Sequence, residues 1–188
     1  MRRLQHQAGL STVLVTHDPE EAALLSDEVL VVLDGRVVQA GPAAELHAAP
    51  ASPEVARLLG IVNVLEGRCG PGGRLVAGGV DLGVLVTPDR PGAPVTWCIH
   101  PEHVEIDPAG AYPAVITDVA HLGSVAAIEM RLGDDLVVTA RCADRQDRRT
   151  GQRCRVNLPP DAITVWPGAS GVGSAPGAGT LNGRFVGP

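Results

Sequence analysis

Apolar and polar positions along this chain form short runs whose spacing changes near residue 60. The first run, Thr12–Val15, is apolar or β-branched without a break, which predicts a strand buried on both faces of a mainly parallel sheet. Val29–Leu33 and Arg36–Ala40 predict two more strands, joined by Asp34-Gly35. That dipeptide is typical of a two-residue hairpin turn.

Helix signals separate these strands. Asp18 can accept backbone N–H bonds as an N-cap, Pro19 occupies the first helical position, and Glu21 can close a capping box. Pro42–His47 and Pro53–Leu59 predict two further short helices, each with a proline near its start. The pattern before residue 60 is therefore that of an α/β unit.

Gly60 suits the C-terminal end of the last helix, and we place a domain boundary there. From Val62 onward, short apolar runs alternate with Gly, Pro and Asp turns, which favours a small β-barrel or sandwich. The predicted strands are Asn63–Arg68, Arg74–Val76, Leu82–Thr87, Val95–Ile99, Tyr112–Val119, Ala126–Leu132, Leu136–Arg141, Arg155–Leu158 and Ile163–Trp166. Residues 167–188 are rich in Gly, Ala, Ser and Pro, and predict a disordered tail because they have too little apolar surface to offset ordering entropy.

Composition narrows the class of protein. Apolar residues make up 45% of the 188 positions but aromatic residues only 2%, so Val, Leu and Ala must form the core. The net charge of −6 argues against general affinity for nucleic acid. No apolar run approaches the roughly 20 residues of a membrane span, which predicts a cytosolic protein. Cys69, Cys98, Cys142 and Cys154 lack the spacing of a zinc site and predict reduced thiols packed as small apolar groups.

His17 is the first candidate for chemistry. It lies between the predicted strand and the Asp18 cap, at the carboxyl edge of the sheet, where ligands bind in open α/β folds. A helix N-terminus favours anions, and a histidine there can donate a hydrogen bond to a phosphate. The local pattern leaves open the alternative that His17 only satisfies nearby backbone groups.

A longer set of segments adds to this motif. The segments are Val15–Ala22, Ser26-Asp27, Val31–Pro42, Glu45-Leu46 and Pro50. In this order and at this spacing, Leu10–Gly60 resembles the C-terminal part of the nucleotide-binding domain of an ABC importer. The resemblance implies that His17 contacts the γ-phosphate of ATP and helps to position the attacking water. Asp18 is better explained as a helix cap than as a catalyst.

Other parts that such an ATPase needs are missing from this sequence. The chain contains no lysine, so it has no P-loop lysine, and it also lacks the family's signature loop and the Asp-Glu pair that holds Mg²⁺. Met1 falls in the helix before the His-bearing strand, and residues 2–8 are predicted to be helical. We therefore expect a truncated portion that does not hydrolyse ATP alone, while the full-length family uses ATP and Mg²⁺.

Residues 61–166 resemble the TOBE domain, an OB-like β module that follows the ATPase domain in many importers. The matching segments are His100–Val104, Val115–Val119, Leu122-Gly123, Arg131–Gly133, Gly151-Gln152 and Val156–Trp166. The family usually has Arg-Pro-Glu where this chain has His100-Pro101-Glu102. The expected fold is thus an α/β remnant of an ABC nucleotide-binding domain, residues 1–60, followed by an all-β small barrel, residues 61–166. Ser124 is a weak candidate for a regulatory anion contact, because some related modules bind oxyanions.

The leading hypothesis is the C-terminal portion of an ABC importer ATP-binding subunit. The resemblance implies transmembrane permease subunits, a second ATPase subunit and, indirectly, an extracytoplasmic solute-binding protein as partners. It also implies a peripheral position at the inner face of the plasma membrane. Oxyanions, ferric iron, polyamines and sugars all remain as substrate classes.

Two other hypotheses belong to different classes. The first is a stand-alone TOBE-type module that binds a small anion and has no ATPase activity. The second is a nucleic-acid binder that uses the basic cluster Arg141, Arg145, Arg148, Arg149, Arg153 and Arg155. We favour a solvated loop for that cluster, because Asp144 and Asp147 interleave with it and no aromatic residue stands nearby for base stacking. His100, His103 and His121 lack ligand spacing, so no metal site is predicted.

Overall fold

A computed structural model describes residues 11–86, 90–144 and 147–168. The helices are α1 (Pro19–Leu25), α2 (Ala43–Ala48) and α3 (Pro53–Leu58). The strands are β1 (Val29–Leu33), β2 (Arg36–Gly41), β3 (Val64–Cys69), β4 (Arg74–Ala77), β5 (Val80–Leu85), β6 (Pro94–Ile99), β7 (Glu105–Ile106), β8 (Tyr112–His121), β9 (Val125–Leu132), β10 (Leu136–Ala143), β11 (Arg153–Asn157) and β12 (Ile163–Pro167). Short 3₁₀ turns lie at Pro71–Gly73, Pro101–His103 and Pro160–Ala162.

The start of α1 confirms the predicted cap but changes the role of Glu21. The Asp18 side chain accepts hydrogen bonds from the backbone N–H of Glu20 and Glu21, and Pro19 opens the helix. The Glu21 carboxylate does not close a capping box on the backbone. It accepts instead from the hydroxyl of Thr16 at 2.6 Å, and that hydroxyl also accepts from the Asp18 N–H at 3.1 Å. Two consecutive hydrogen bonds, from the Asp18 N–H to the Thr16 hydroxyl and from that hydroxyl to the Glu21 carboxylate, therefore stabilise the turn before α1.

The predicted buried strand at Thr12–Val15 is wrong. These residues are not in a strand, and the side chains of Val13 and Val15 are each 91% exposed. A strand needs neighbours that satisfy its backbone groups, and no described strand lies beside this segment. Within the described residues, the apolar side chains of this segment are therefore exposed to solvent.

The β1–β2 hairpin and the end of α3 follow the sequence prediction closely. Asp34 and Gly35 both have positive φ, 49° and 72°, as a two-residue turn between twisted strands requires. Gly60, with φ 82°, ends α3, because its N–H donates to Arg57 O while the N–H of Ile61 reaches Ala56 O. A small core lies between these elements, made of Val31, Leu46, Val55 and Leu59.

Two five-stranded antiparallel sheets form the rest of the chain. Their strand orders are β10-β9-β8-β11-β7 and β12-β6-β3-β4-β5. Alternate side chains of both sheets point into one shared core, in which Trp97, Ile116 and Met130 are among the largest fully buried residues. The architecture is mostly β and barrel-like, as the sequence predicted. The two-residue strand β7 was not predicted, because a single pair of residues has no period to detect.

Asn63 joins the two sheets just before β3. Its side chain is one of the few polar groups in the interior and is 2% exposed. The amide donates to Thr139 O at 2.8 Å and accepts from Thr139 N at 2.7 Å, so it pairs with the free edge of β10 as a neighbouring strand would. The backbone carbonyl of Asn63 accepts from Ile99 N at 3.2 Å. One residue thus ties β10 of the first sheet to β6 of the second.

The β4–β5 turn and the β9–β10 turn also touch each other. The Asp134 N–H donates to Gly78 O at 3.1 Å, and a Cβ atom at Gly133 would overlap that same oxygen. A Cβ at Gly78 would lie 2.6 Å from the backbone nitrogen of Leu136. Gly78 and Gly133 also have positive φ, 52° and 56°. Glycine is therefore required at both positions.

The first two residues of the predicted tail pair with β6 instead. β12 continues through Pro167, and the Gly168 N–H donates to Pro94 O at 2.9 Å, so these two residues belong to the sheet. The prediction of a tail starting at residue 167 is wrong for them. Residues 169–188 of that tail, and the helix predicted at residues 2–8, lie outside the described residues.

We expect Asn63→Leu to lower the free energy of unfolding by about 2–4 kcal/mol, because it leaves both backbone groups of Thr139 without partners. The measurement is urea unfolding of the whole chain. Asn157→Leu is the matched control, since that amide makes one hydrogen bond, to Glu105 at 3.2 Å. It should cost about 1 kcal/mol or less. Equal losses in the two variants would show that Asn63 is not the tie between the sheets.

Candidate functional site

His17 stands at the turn before α1 and is exposed. No hydrogen bond or ion pair of His17 occurs within the described residues. The backbone donors that make a helix N-terminus attractive to an anion are taken here by the Asp18 carboxylate, which accepts from Glu20 N at 2.9 Å and Glu21 N at 3.1 Å. The Asp18 carboxylate therefore occupies the place where an anion would bind at this helix N-terminus.

This arrangement does not fit ATP on its own. The described residues place no lysine or arginine with His17, and they include no group of three His, Cys, Asp or Glu side chains that could hold a metal ion. The strand that was expected to present His17 at a sheet edge is not formed. His17 can donate one hydrogen bond to an anion, but the rest of a phosphate site would have to come from elsewhere.

A second group of side chains lies where the N-terminal part, which ends at residue 60, meets the β domain, which begins at residue 61. His47, near the end of α2, has its ring centroid 5.9 Å from that of His100, and His100 lies 5.7 Å from His103. The Nε2 atom of His100 is 2.8 Å from the carbonyl oxygen of His47. Glu102 lies in the same 3₁₀ turn and binds Arg141 of β10 at 3.2 Å. The sequence prediction treated His100 and His103 as scattered, and it missed His47.

This environment lowers the pKa of His47. Burial lowers the pKa of His47 below its usual 6.5; the neighbouring His100 lowers it further, and Glu102 raises it. The neutral imidazole is therefore favoured at the contact. No local spacing in the sequence could reveal this group, because His47 and His100 are separated by 53 residues.

Apolar packing and one indole complete the contact between the two parts. Ala56, Ile61 and Cys98 form a small buried cluster, against which Val64 and Trp166 pack. The Nε1–H of Trp166 donates to Pro50 O at 3.2 Å. Burial raises the pKa of the Cys98 thiol to about 11, so it stays protonated at neutral pH and packs as an apolar group.

Ser124 lies in the turn between β8 and β9 and is exposed. Its carbonyl accepts from Asp144 N at 3.1 Å, and the Asp144 carboxylate binds His121 Nδ1 at 2.7 Å. His121 is therefore placed with Asp144 and apart from the His100 group. A contact between Ser124 and an anion stays a prediction.

The basic cluster is divided among separate structural contacts. Arg141 binds Glu102, Arg148 donates to the sulfur of Cys142 at 2.7 Å, and Arg155 donates to Gly110 O at 2.7 Å and Ala111 O at 3.0 Å. Arg149 and Arg153 are exposed, and Arg145 lies outside the described residues. Three of these guanidinium groups thus hold the β domain together.

Comparison with known proteins identifies the β part. The family model described as the TOBE domain matches residues 97–166. Those residues form a TOBE domain. The match covers β6 to β12, while β3 to β5 complete the second sheet by pairing with β6.

The TOBE-containing chain also matches whole-protein relatives over both of its parts. A spermidine/putrescine import ATP-binding protein of Rubrobacter xylanophilus is 35% identical over 176 residues, which is 88% of this chain and 45% of that protein. A sulfate/thiosulfate import ATP-binding protein of Chromobacterium violaceum is 32% identical, over 89% of this chain and 49% of that protein. A spermidine/putrescine import ATP-binding protein of Ruegeria pomeroyi is 30% identical, over 88% and 48%.

These matches confirm the resemblance stated from the sequence. The chain is homologous to the C-terminal half of ABC importer ATP-binding subunits, and it spans about half the length of the curated relatives it matches. None of the helices in the described ranges is long and apolar enough to cross a membrane.

The thiol of Cys98 leads to a pH prediction. The unfolded chain ionises this thiol near its usual pKa of 9.0, whereas the folded chain keeps the proton up to about 11. The stabilisation is therefore complete below pH 9 and is lost as the pH rises towards 11. Between about pH 8.5 and 11, wild type should lose about 2 kcal/mol more unfolding free energy than Cys98→Ala.

The measurement is urea unfolding at a series of alkaline pH values. Val95→Ala, in the same strand, removes buried apolar volume but no titratable group. It should be less stable at every pH and keep the wild-type slope. A Cys98→Ala profile parallel to that of wild type would contradict the prediction.

Proposed function

We propose that this chain is the C-terminal portion of the ATP-binding subunit of an ABC importer, in which ATP hydrolysis drives solute uptake. The observation that supports this most directly is the extent of the homology. Relatives named as import ATP-binding proteins match 88% or 89% of the chain, across both the part before residue 60 and the TOBE domain. A relationship confined to residues 97–166 would cover well under half of the chain.

The surface of the N-terminal part supports the same proposal. Val13, Val15, Leu30, Val32 and Val37 are all more than half exposed, and we call them the open apolar face. Large apolar side chains left exposed on paired strands, as Leu30, Val32 and Val37 are, favour a surface that another structure covers. We propose a full-length protein as long as the matched relatives. In it, the half that precedes this chain covers the open apolar face and adds strands beside Thr12–Val15.

His17 has its proposed role only in that longer protein. There, we propose, it contacts the γ-phosphate of ATP, while residues outside this chain supply the phosphate loop, the Mg²⁺ ligands and the catalytic base. Covering the segment before His17 would fix its position at a sheet edge. The chain alone is proposed to be inactive as an ATPase, because it contains no lysine and therefore no P-loop lysine.

The proposed partners follow from the importer class. ABC importer ATP-binding subunits generally pair with membrane permeases. We propose that the full subunit also pairs with a second copy and works at the cytoplasmic face of the membrane, downstream of an extracytoplasmic solute-binding protein. The matched relatives are named for spermidine and putrescine or for sulfate and thiosulfate, so a polyamine and an oxyanion are the two substrate classes to test first.

The test joins the preceding half of the Rubrobacter xylanophilus relative to this chain and measures ATP hydrolysis. We expect turnover by the chimera and none above background by the chain alone. His17→Ala in the chimera should lower kcat by at least about 100-fold, because positioning of the reacting groups is lost. His121→Ala, a histidine of the TOBE domain held by Asp144, is the matched control and should leave kcat within about twofold.

Two outcomes would contradict the proposal. One is ATP turnover by the chain alone that disappears in His17→Ala. The other is a chimera whose turnover is the same with and without His17.

A further inference from the structure

Three histidines from two parts of the chain meet at one place, and we call His47, His100 and His103 the histidine junction. His47 belongs to α2, in the part homologous to the ATPase domain. His100 and His103 flank Pro101 and Glu102 in the 3₁₀ turn of the TOBE domain. The ring centroids lie 5.9 and 5.7 Å apart, close enough for a charge on one imidazole to act on the next.

We propose that the histidine junction is a pH-sensitive contact that holds the N-terminal part on the TOBE domain when His47 is neutral and loosens when His47 is protonated. The proposal goes beyond ATP-driven import, since it concerns how the two parts of this chain are joined. It requires neither nucleotide nor permease.

A proton on His47 weakens the contact for two reasons. The ring is partly buried, so burial disfavours its charged form and lowers its pKa. The His100 ring, 5.9 Å away, lowers the pKa of His47 further, while the Glu102 carboxylate raises it. Arg141 binds that carboxylate at 3.2 Å and offsets part of its charge. The cost of the charge on His47 therefore acts at the contact between α2 and the 3₁₀ turn, where His100 Nε2 lies 2.8 Å from His47 O.

Further charged groups lie on α2 and on the elements packed against it. α2 itself carries Glu45 at its opposite end, in the first turn. The elements packed against α2 contribute Glu20 and Glu21 of α1 and Arg36 of β2. The Glu21 carboxylate already binds the Thr16 hydroxyl.

The sign of the effect follows from the direction of the His47 shift. The folded chain holds the His47 proton less tightly than the unfolded chain does, because the pKa is lowered on folding. The contact is therefore complete above about pH 6.5 and is weakened as the pH falls below it. The hydrogen bond from Trp166 to Pro50 lies next to α2 and is the first reporter of any loosening.

The two tryptophans allow the test to be made on the whole chain by nitrogen-15 NMR. The indole N–H of Trp166 reports the junction, while Trp97 lies in the barrel core, fully buried and without a hydrogen-bond partner in the described structure. Between about pH 7.5 and 5, we expect the Trp166 indole signal to move and the Trp97 signal to stay in place. In His47→Gln with His100→Gln, the movement of Trp166 should shrink at least about threefold.

His17→Gln and His121→Gln are matched controls that remove a histidine away from the junction, and both should keep the wild-type response. The Trp97 signal verifies folding of every variant. If the double variant does not fold, His47→Gln and His100→Gln are measured as single variants. Each should reduce the pH-dependent movement of the Trp166 indole signal. An immobile Trp166 signal in wild type, an unreduced response in the variants, or a His47 ring that titrates at or above about 6.5 would overturn the proposal.

Discussion

The rest of this structure depends on the two hydrogen bonds that the Asn63 side chain makes with the backbone of Thr139. β10 is the last strand of its sheet, and without a partner its edge would expose backbone groups inside the molecule. An amide is well suited to this place, since it offers one donor and one acceptor side by side, as a strand does. Because Asn63 lies directly before β3, the same residue fixes the chain where the second sheet begins.

The position of the N-terminal part is a consequence of that tie. Ile61, two residues before Asn63, packs with Ala56 and Cys98 and so brings α3 onto β6. Among the described residues, the core within the N-terminal part has four buried residues, whereas the β domain has a continuous core between two sheets. The N-terminal part therefore relies on contacts with the β domain, and those contacts include polar groups whose charge can change.

Features with a local physical cause could be predicted from the sequence. The Asp34-Gly35 turn, the Asp18 cap and the end of α3 at Gly60 each depend on residues within a few positions of one another. The strands of the β domain were predicted for the same reason, since short apolar runs bounded by Gly, Pro and Asp turns are also local signals.

Features that depend on residues far away in the sequence were either not predicted or predicted wrongly. The apolar pattern of Thr12–Val15 records burial, but it does not say which structure does the burying, and no described strand covers it. Asn63 looked like an ordinary strand end because its partner is 76 residues away. His47 gave no signal, because the ring beside it belongs to another domain. The candidate role of His17 came from resemblance, and its geometry in the described residues adds no second phosphate ligand.

The contact between Gly78 and Gly133 has a consequence for how this β domain can change. Each glycine lies at the tip of a different hairpin, and each tip occupies the space that a side chain on the other would need. A longer or bulkier turn on one sheet would push directly on the turn of the other and separate the sheets at that end. The lengths of the β4–β5 and β9–β10 turns are thus mechanically linked, although more than 50 residues of chain lie between the two glycines.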